Sequence, residues 1–497
     1  MHKSLIVIAA ILFLFIVFAS FRFVSNVPNP NPKDFTHTSL IYRVLKQAKS
    51  LEVEYEQQYQ LTAVVINWKR LSSIQLAVQR YLNATHFRRI IVWNNNPAIN
   101  LTYKQILPQN QSFDLIRIIN SKKNLKDEAK YRACAEAETL ACFYVDDDWD
   151  ISHYMNTLIA SFRSDPNVLH SVTNYVTYYN NMLWTFMDSR IELHVGFSWI
   201  GCGSVFLREH ARRHLQLLEV NLENNSDLFA FSDLFFSIWL NDIPSQMVVN
   251  LLSLAATANE TNASFSSTNN FYSSQHKSSV LAIRKLEAAL RLNKPTMNIT
   301  FPRKQNRRFS YCTKSPSPKD DFTFYSNVLP IDIEHIPFDI KVDSDRGTYR
   351  YVLHGPNYTH FIEYNTLKAV DNDEKTCWRP LGFVKKGDFF AIDFLRIQTH
   401  MVFVLIIAHS DKVQNSLTMQ VSFDGVWWIP HHSFNSILNN SNRTVNSNFQ
   451  RFVIDSRQFP PELQSFRYVA FNATNAVDEP FQVCYVQIID KTNIRSK

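Results

Sequence analysis

Residues 143–150, FYVDDDWD, run from apolar and aromatic residues straight into three adjacent carboxylates, Asp146, Asp147 and Asp148. Neighbouring like charges repel, so the triplet faces open water or has a cation to neutralise it. Carboxylates just behind a buried strand are hard oxygen ligands suited to Mn2+ or Mg2+, with waters and substrate phosphates completing the shell. Such a metal acts as a Lewis acid on a departing diphosphate, the logic of the D-x-D motif in nucleotide-sugar transferases. A solvated acidic turn is the plainer reading of the same three residues.

The elements upstream decide between the two. LTAVVINW (61–68) is a short β-branched run of the kind that forms a strand buried on both faces, and SSIQLAVQRYL follows with apolar residues at helical spacing. RRIIVWNN and LIRIIN predict two further strands, KDEAKYRACAEAE a helix, and LACFYV (140–145) a fourth strand. This alternation predicts an α/β unit with a mostly parallel sheet covered on both faces. Ligands in such sheets bind beyond the carboxyl ends of the strands, where this chain carries Asn67, Asn94, Asn95 and the triplet.

From about Ser253 the texture changes. ATANETNASFSSTNNFYSSQ is rich in Ser, Thr and Asn and predicts an exposed loop, followed by a helix (VLAIRKLEAALRL) and the basic stretch PRKQNRR (302–308). Beyond about Asp320, FFAIDF, HMVFVLIIAH, LTMQVSF and VCYVQIID predict short strands of an antiparallel β-sandwich.

At 497 residues the chain exceeds one core and should divide into domains. A formal charge of +7 is too weak to argue for nucleic acid as a partner, and PRKQNRR reads first as a solvated or membrane-proximal patch, alternatively as a site for an acidic polysaccharide or the donor diphosphate. An unbroken apolar run from Leu5 to Phe21, flanked by Lys3 and Arg22, is long enough to cross a bilayer. It reads as a single-pass type II signal anchor over 1–24, with a cleaved signal peptide as the alternative. Either places the remainder in the secretory lumen, in the Golgi or endoplasmic reticulum, after a proline-marked stem over 25–60 containing VPNPNPKDF and a short helical stretch. Eleven N-x-S/T sequons, at Asn83, Asn100, Asn110, Asn224, Asn259, Asn262, Asn298, Asn357, Asn439, Asn442 and Asn472, fit that compartment. Six scattered cysteines make at most a few single bridges.

The order RRIIVWNNNP (88–97), KNLKDEAKYRACAEAETLACFYVDDDW (123–149), WIGCGSVF (199–206) and FAFSDLFFSIWLND (229–242) resembles the exostosin-like α-hexosaminyltransferases, glycosyltransferase family 64. The resemblance covers about 61–312, is sharpest at "VWNN" and "DDD", and implies a GT-A domain over 61–315. It implies metal binding by Asp148 and Asp146, with Asp146 also near the ribose. It places Asn94, Asn95, Asn67 and Asp147 around the nucleotide sugar, with positive charge from Lys130 or Arg132. Solvated helix faces are the ordinary reading of those two basic residues. Gly203 and Ser204 would line the acceptor side, and Asp233 matches the family's catalytic Asp near the anomeric carbon. An ordinary acidic residue in the first turn of a helix is the alternative for Asp233.

Two departures stand out. Phe231 and Val280 replace a cysteine pair of the family, and Lys277 and Ser232 replace its site Arg and Glu. A lysine keeps the charge and loses the bidentate fork.

Further on, AVDNDEKTCWRPLGFVKKGDFFAIDF (369–394), LTMQVSFDGVWWIP (417–430) and FRYVAFNATN (466–475) resemble the discoidin-type sandwich of coagulation-factor C domains, here over 320–492. That resemblance implies possible carbohydrate binding, and Cys377 and Cys484 then join the first turn to the last strand. Trp378, Trp427 and Trp428 either stack on sugar rings or pack the core. The expectation is a metal-dependent retaining transferase moving GlcNAc or GalNAc from a UDP-sugar to a glycan or glycoprotein, with Mn2+ or Mg2+ as cofactor and the membrane reached through the N-terminal helix. A non-catalytic glycan-binding protein and an inverting GT-A enzyme are the alternatives.

Overall fold

The computed structural model describes residues 37–107, 114–222, 226–253, 271–292, 311–317, 321–331, 356–433, 444–446 and 449–489. The apolar run 5–21, the proline-marked stretch, most of the Ser/Thr/Asn-rich segment, PRKQNRR and seven sequons (Asn110, Asn224, Asn259, Asn262, Asn298, Asn439, Asn442) lie outside these residues. Among the described residues no helix is long and apolar enough to cross a membrane. The chain divides into two compact units, at Ala48 and Lys49. Helix α1, His37–Gln58, begins in the first and continues into the second.

The second unit opens with strands β1 (Leu61–Asn67), β2 (Phe87–Asn94), β3 (Ile116–Asn120) and β4 (Ala141–Tyr144), followed by the short β5 (Trp149–Asp150). Next come β6 (His170–Thr173), β7 (Phe186–Asp188), β8 (Leu193–Val195), β9 (Ser204–Leu207), β10 (Ser245–Val248), β11 (Leu252–Ser253) and β12 (Tyr311–Lys314). The helices that cover the sheet are α2 (Leu71–Leu82), α3 (Glu128–Ala135), α4 (Met155–Ser164), α5 (Arg208–Leu222), α6 (Ser232–Trp239) and α7 (Phe271–Arg291).

The sheet order is β3-β2-β1-β4-β9-β6-β10-β12. It is parallel through β3, β2, β1 and β4, and β9 runs antiparallel between β4 and β6. The two-residue period of a strand sorts its side chains between two cores. Ala63, Val65 and Phe143 join Ile74 and Val78 of α2 and Leu158 and Phe162 of α4, whereas Val64, Cys142 and Tyr144 join Ala129 and Tyr131 of α3 and Phe236 of α6. This mixed α/β architecture sets the sides of the acidic turn that follows β4.

The loop expected through Gln275 ends earlier, because α7 already begins at Phe271. Ala282, Ile283 and Leu286 bury one face of that helix, and an established helix extends over polar residues at little cost. Phe231 and Val280 belong to the same apolar cluster.

The C-terminal part is a β-sandwich. Strands β13 (Thr323–Ser326), β14 (Phe389–Thr399), β15 (Val402–Ala408), β16 (Leu417–Ser422), β17 (Trp428–Ser433), β18 (Thr444–Asn446), β19 (Phe449–Asp455), β20 (Ser465–Ala473) and β21 (Val483–Ile488) form two layers. One runs β13-β14-β20-β16-β17 and the other β18-β19-β15-β21. Pairing of β12 with β13 makes the first layer continuous with the α/β sheet, a hairpin connection the sequence reading missed. Trp378 is fully buried against Phe324, Phe390 and Phe481, so core packing is its role. Cys377 and Cys484 are bridged as expected. A second disulfide, Cys134 to Cys142, pins the end of α3 to β4.

A buried ion pair joins the neighbouring strands β14 and β20 of one layer: Arg467 donates from Nε and a terminal nitrogen to Asp393 at 2.7 and 2.9 Å. Glu52 of α1 approaches the same guanidinium at 3.9 Å and accepts from the Ile397 amide at 3.0 Å.

Candidate functional site

The acidic turn inherits its sidedness from β4. Tyr144 faces the α3 and α6 side, and its hydroxyl donates to Asp146 Oδ1. The Asp146 amide donates to the Gly201 carbonyl at 2.8 Å, and a Cβ on Gly201 would lie 1.9 Å from Asp146 Oδ2. Only glycine admits that carboxylate. On the α2 side, Arg70 donates to Asp147 at 2.5 Å and lies 3.9 Å from Asp148, while Arg80 pairs with Asp150 at 2.9 Å. Helix α2 is therefore tied to the acidic loop at both ends. Between the two pairs opens a cavity of about 250 Å³, lined in part by Ser73, Leu76, Tyr81, Trp149 and Met155.

Asp233 stands in the first turn of α6, and its carboxylate is held at both oxygens. Lys130 donates to Oδ2 and Tyr131 to Oδ1, each at 2.8 Å. All three side chains are buried. Burial pushes the Asp233 carboxyl above the ordinary carboxylate value, against the pull of Lys130 and Tyr131. Burial opposes the Lys130 charge, yet Asp127, Asp233 and Asp146 together hold its pKa well above the usual lysine value. The Lys130 ammonium also lies 4.7 Å from the Tyr144 ring, linking this cluster to the acidic turn.

The asparagines at the strand ends chiefly bond one another. Asn67 Nδ2 donates to Asn94 Oδ1 at 2.8 Å, Asn94 Nδ2 to Asn120 Oδ1 at 2.9 Å, and Asn95 Nδ2 to Asn124 Oδ1 at 2.9 Å. Asn95 Oδ1 accepts from the Leu125 amide at 2.8 Å. These bonds tie the ends of β1, β2 and β3 together beside the triplet. Asn67 Oδ1 is buried without a partner.

The remaining candidates are spread more widely. Arg132 pairs with Glu128 at 2.5 Å and lies 3.6 Å from Glu219, and Lys277 is exposed on α7. Neither is among the residues described as bonding the triplet or Asp233. Gly203 is buried at φ +123°, and a Cβ there would lie 2.6 Å from Ile151 Cδ1, so Ile151 uses the space. Ser204, on β9, has a buried hydroxyl with no partner. In the sandwich, Trp427 and Trp428 are half-buried, the latter against Tyr468.

Among the described residues no group of three or more His, Cys, Asp or Glu is placed to hold a metal by itself. The donor set nevertheless suits a hard cation completed by waters and phosphate oxygens. Asp148 Oδ1 is buried without a hydrogen-bond partner. Asp146, Asp147, Asp148, Asp127 and Asp233 share one electrostatic neighbourhood with the cations Arg70 and Lys130, leaving negative charge in excess. Burial pushes the Asp147 carboxyl up to about 6, with Asp146 and Asp148 adding to the shift against Arg70. The Asp148 carboxyl is raised by burial and then by Asp146.

Because a cation on Asp148 must displace a proton from a carboxyl that burial has raised above its ordinary value, Mn2+ affinity should weaken as pH falls. Calorimetric titration between pH 5 and 8 measures this; an affinity independent of pH would refute it. Gly201→Ala, by displacing Asp146, should weaken Mn2+-dependent UDP binding by roughly 10- to 100-fold. Binding equal to that of wild type would show that Asp146 is not needed.

Arg70, Tyr131, Tyr144 and Gly201 were not singled out from the sequence. Gly201 had a signal: with eight glycines in 497 residues, two in WIGCG mark a constrained backbone. Arg70 lies just past the carboxyl end of β1, where a ligand is expected. The tyrosines look like core residues until the fold brings them to carboxylates.

No protein-family model matches the chain, and no curated protein matches it. Similar solved structures include chitosan-binding module 2 of a chitosanase/glucanase from Paenibacillus sp. IK-5, at 16% identity over 26% of this chain and 88% of that one, TM-score 0.19. Another is CpGH89CBM32-5 from Clostridium perfringens, in complex with GalNAc-β-1,3-galactose, at 12% identity over 25% of this chain and 82% of that one, TM-score 0.18. A Streptococcus pneumoniae fucose binding module, SpX-3, has 12% identity over 25% of this chain and 83% of that one, TM-score 0.18. The class assigned to this chain, mixed α/β with a C-terminal β-sandwich, rests on its own strand order.

Proposed function

We propose that the α/β part is a GT-A-type, metal-dependent glycosyltransferase of the exostosin-like family 64 kind. It moves GlcNAc or GalNAc from a UDP-sugar to a glycan or glycoprotein in the Golgi or endoplasmic reticulum lumen, with the apolar run 5–21 as membrane anchor. The observation that carries this reading is the orphaned, buried Asp148 Oδ1 within an undercompensated acidic turn at the strand ends. Asp148 and Asp146 hold Mn2+ or Mg2+, which when bound neutralises charge building on the leaving diphosphate. Arg70, paired with Asp147 on the acidic turn, stands where it would meet the nucleotide's phosphates.

Asp233, held as an anion by Lys130 and Tyr131, stabilises positive charge developing at the anomeric carbon. With both oxygens already accepting hydrogen bonds, neither is free to take the proton of an acceptor hydroxyl, which favours retention over an inverting general-base mechanism. The sandwich supplies an accessory surface for glycan recognition. NMR assignment of the product anomer formed from UDP-GlcNAc or UDP-GalNAc tests the stereochemistry. An α-linked product is expected, and a β-linked product would refute retention.

A second reading, a glycan-binding protein with a degenerate transferase domain, is favoured by two observations. Asn94 and Asn95 bond their neighbours, and Lys277 and Ser232 replace the family's Arg and Glu. Absence of any UDP binding would select it.

A further inference from the structure

We propose that Tyr131 is a positioning residue that, together with Lys130, fixes the orientation of the Asp233 carboxylate; this rests on the reading of Asp233 as the group facing the anomeric carbon. The Tyr131 hydroxyl donates to Asp233 Oδ1 at 2.8 Å, opposite the Lys130 ammonium on Oδ2. Two donors from adjacent residues of α3 thus grip one carboxylate on α6, more than a hundred residues away. A lone lysine contact would let the carboxylate rotate about its Cβ–Cγ bond, and a second donor removes that freedom.

Tyr131 is itself immobile. Its ring is fully buried, 4.6 Å from Phe236, 4.6 Å from His214 and 5.8 Å from Phe206 by ring centroid. Burial and then the Asp233 charge hold its phenol well above the ordinary tyrosine value, so it serves as a donor throughout the working pH range. A buried phenol with one bond to a buried carboxylate is more than a core aromatic, since phenylalanine would fill the same space. The charged and titratable groups around the carboxylate are Lys130 and Tyr131 on α3 and Asp127 at its N-cap, Tyr144 and Asp146 at the end of β4, Cys202 before β9, and His214 on α5.

The test is Tyr131→Phe in the full chain, assayed for transfer from UDP-GlcNAc and UDP-GalNAc with Mn2+. The expected result is a fall in kcat of about tenfold or more, with KM for the donor changed less than about twofold. The acid limb of the kcat profile should move to higher pH, because one of the donors favouring ionised Asp233 is gone. In an Asp233→Asn background the same substitution should cost less than about twofold, as it then has no carboxylate to orient.

A merely structural tyrosine would lower thermal stability without moving the pH profile, and would cost the same in both backgrounds; either result overturns the proposal. Wild-type protein that turns over neither donor overturns it differently, by removing the reading of Asp233 on which it rests.

Discussion

Asp233→Asn is expected to lower kcat for transfer by roughly 100- to 1000-fold while leaving Mn2+-dependent UDP binding within about twofold of wild type. The two side chains are nearly isosteric, so the space on α6 stays filled. What changes is charge. An amide offers one acceptor oxygen where the carboxylate offers two, and its nitrogen faces Lys130 or Tyr131, both of which donate to the carboxylate. Tyr131 can reverse its hydroxyl and accept, whereas Lys130 cannot. The amide oxygen therefore turns to Lys130, and the developing positive charge at the sugar meets a neutral group. Lys130 keeps Asp127 at 3.7 Å as a counter-ion, so the fold should survive with some loss of stability. Single-turnover kinetics with calorimetric UDP binding separates the two effects. Wild-type kcat in this variant would show that Asp233 is an ordinary residue in the first turn of a helix.

The largest effect on stability should come from the sandwich. Arg467→Met removes the only guanidinium bonded to Asp393 among the described residues and leaves that carboxylate buried in an apolar layer. Breaking a buried pair on one side typically costs about 3–5 kcal/mol, because the remaining charge loses its counter-ion without regaining water. Glu52 of α1 would lose its cation as well, although it keeps the Ile397 amide. Replacing both partners, Arg467→Met with Asp393→Leu, should recover most of the loss. Urea unfolding monitored by tryptophan fluorescence measures both; equal destabilisation in single and double variants would contradict the account.

Much of the α/β layer was legible because its signals are local. β-branched runs such as LTAVVIN and amphipathic runs such as LSSIQLAVQRYL specify strand and helix within one short window. The Cys377–Cys484 bridge followed from the resemblance to the discoidin-type turn, whereas Trp378, open between sugar stacking and core packing in the sequence, packs the core. The misses are non-local. Tyr131 and Asp233 are distant in the chain, as are Gly201 and Asp146, and no periodicity encodes such meetings. The short Cys134–Cys142 bridge was missed because spacing alone does not show that a helix end and the next strand turn toward each other. Gly203 was singled out for its missing side chain, but the space it leaves belongs to Ile151. Asn94 and Asn95 stand at the strand ends, where they knit those ends together.

The central claim is that FYVDDDWD is a metal site serving a UDP-sugar. Its most direct test is UDP release from UDP-GlcNAc and UDP-GalNAc by the full chain, with Mn2+ and with chelator, comparing wild type with Asp148→Ala. Wild type should release UDP only with the metal, and release should fall to background in the variant, because the orphaned Oδ1 is gone. Release that is equal with chelator, or unchanged in Asp148→Ala, would contradict it and leave the three carboxylates as a solvated turn.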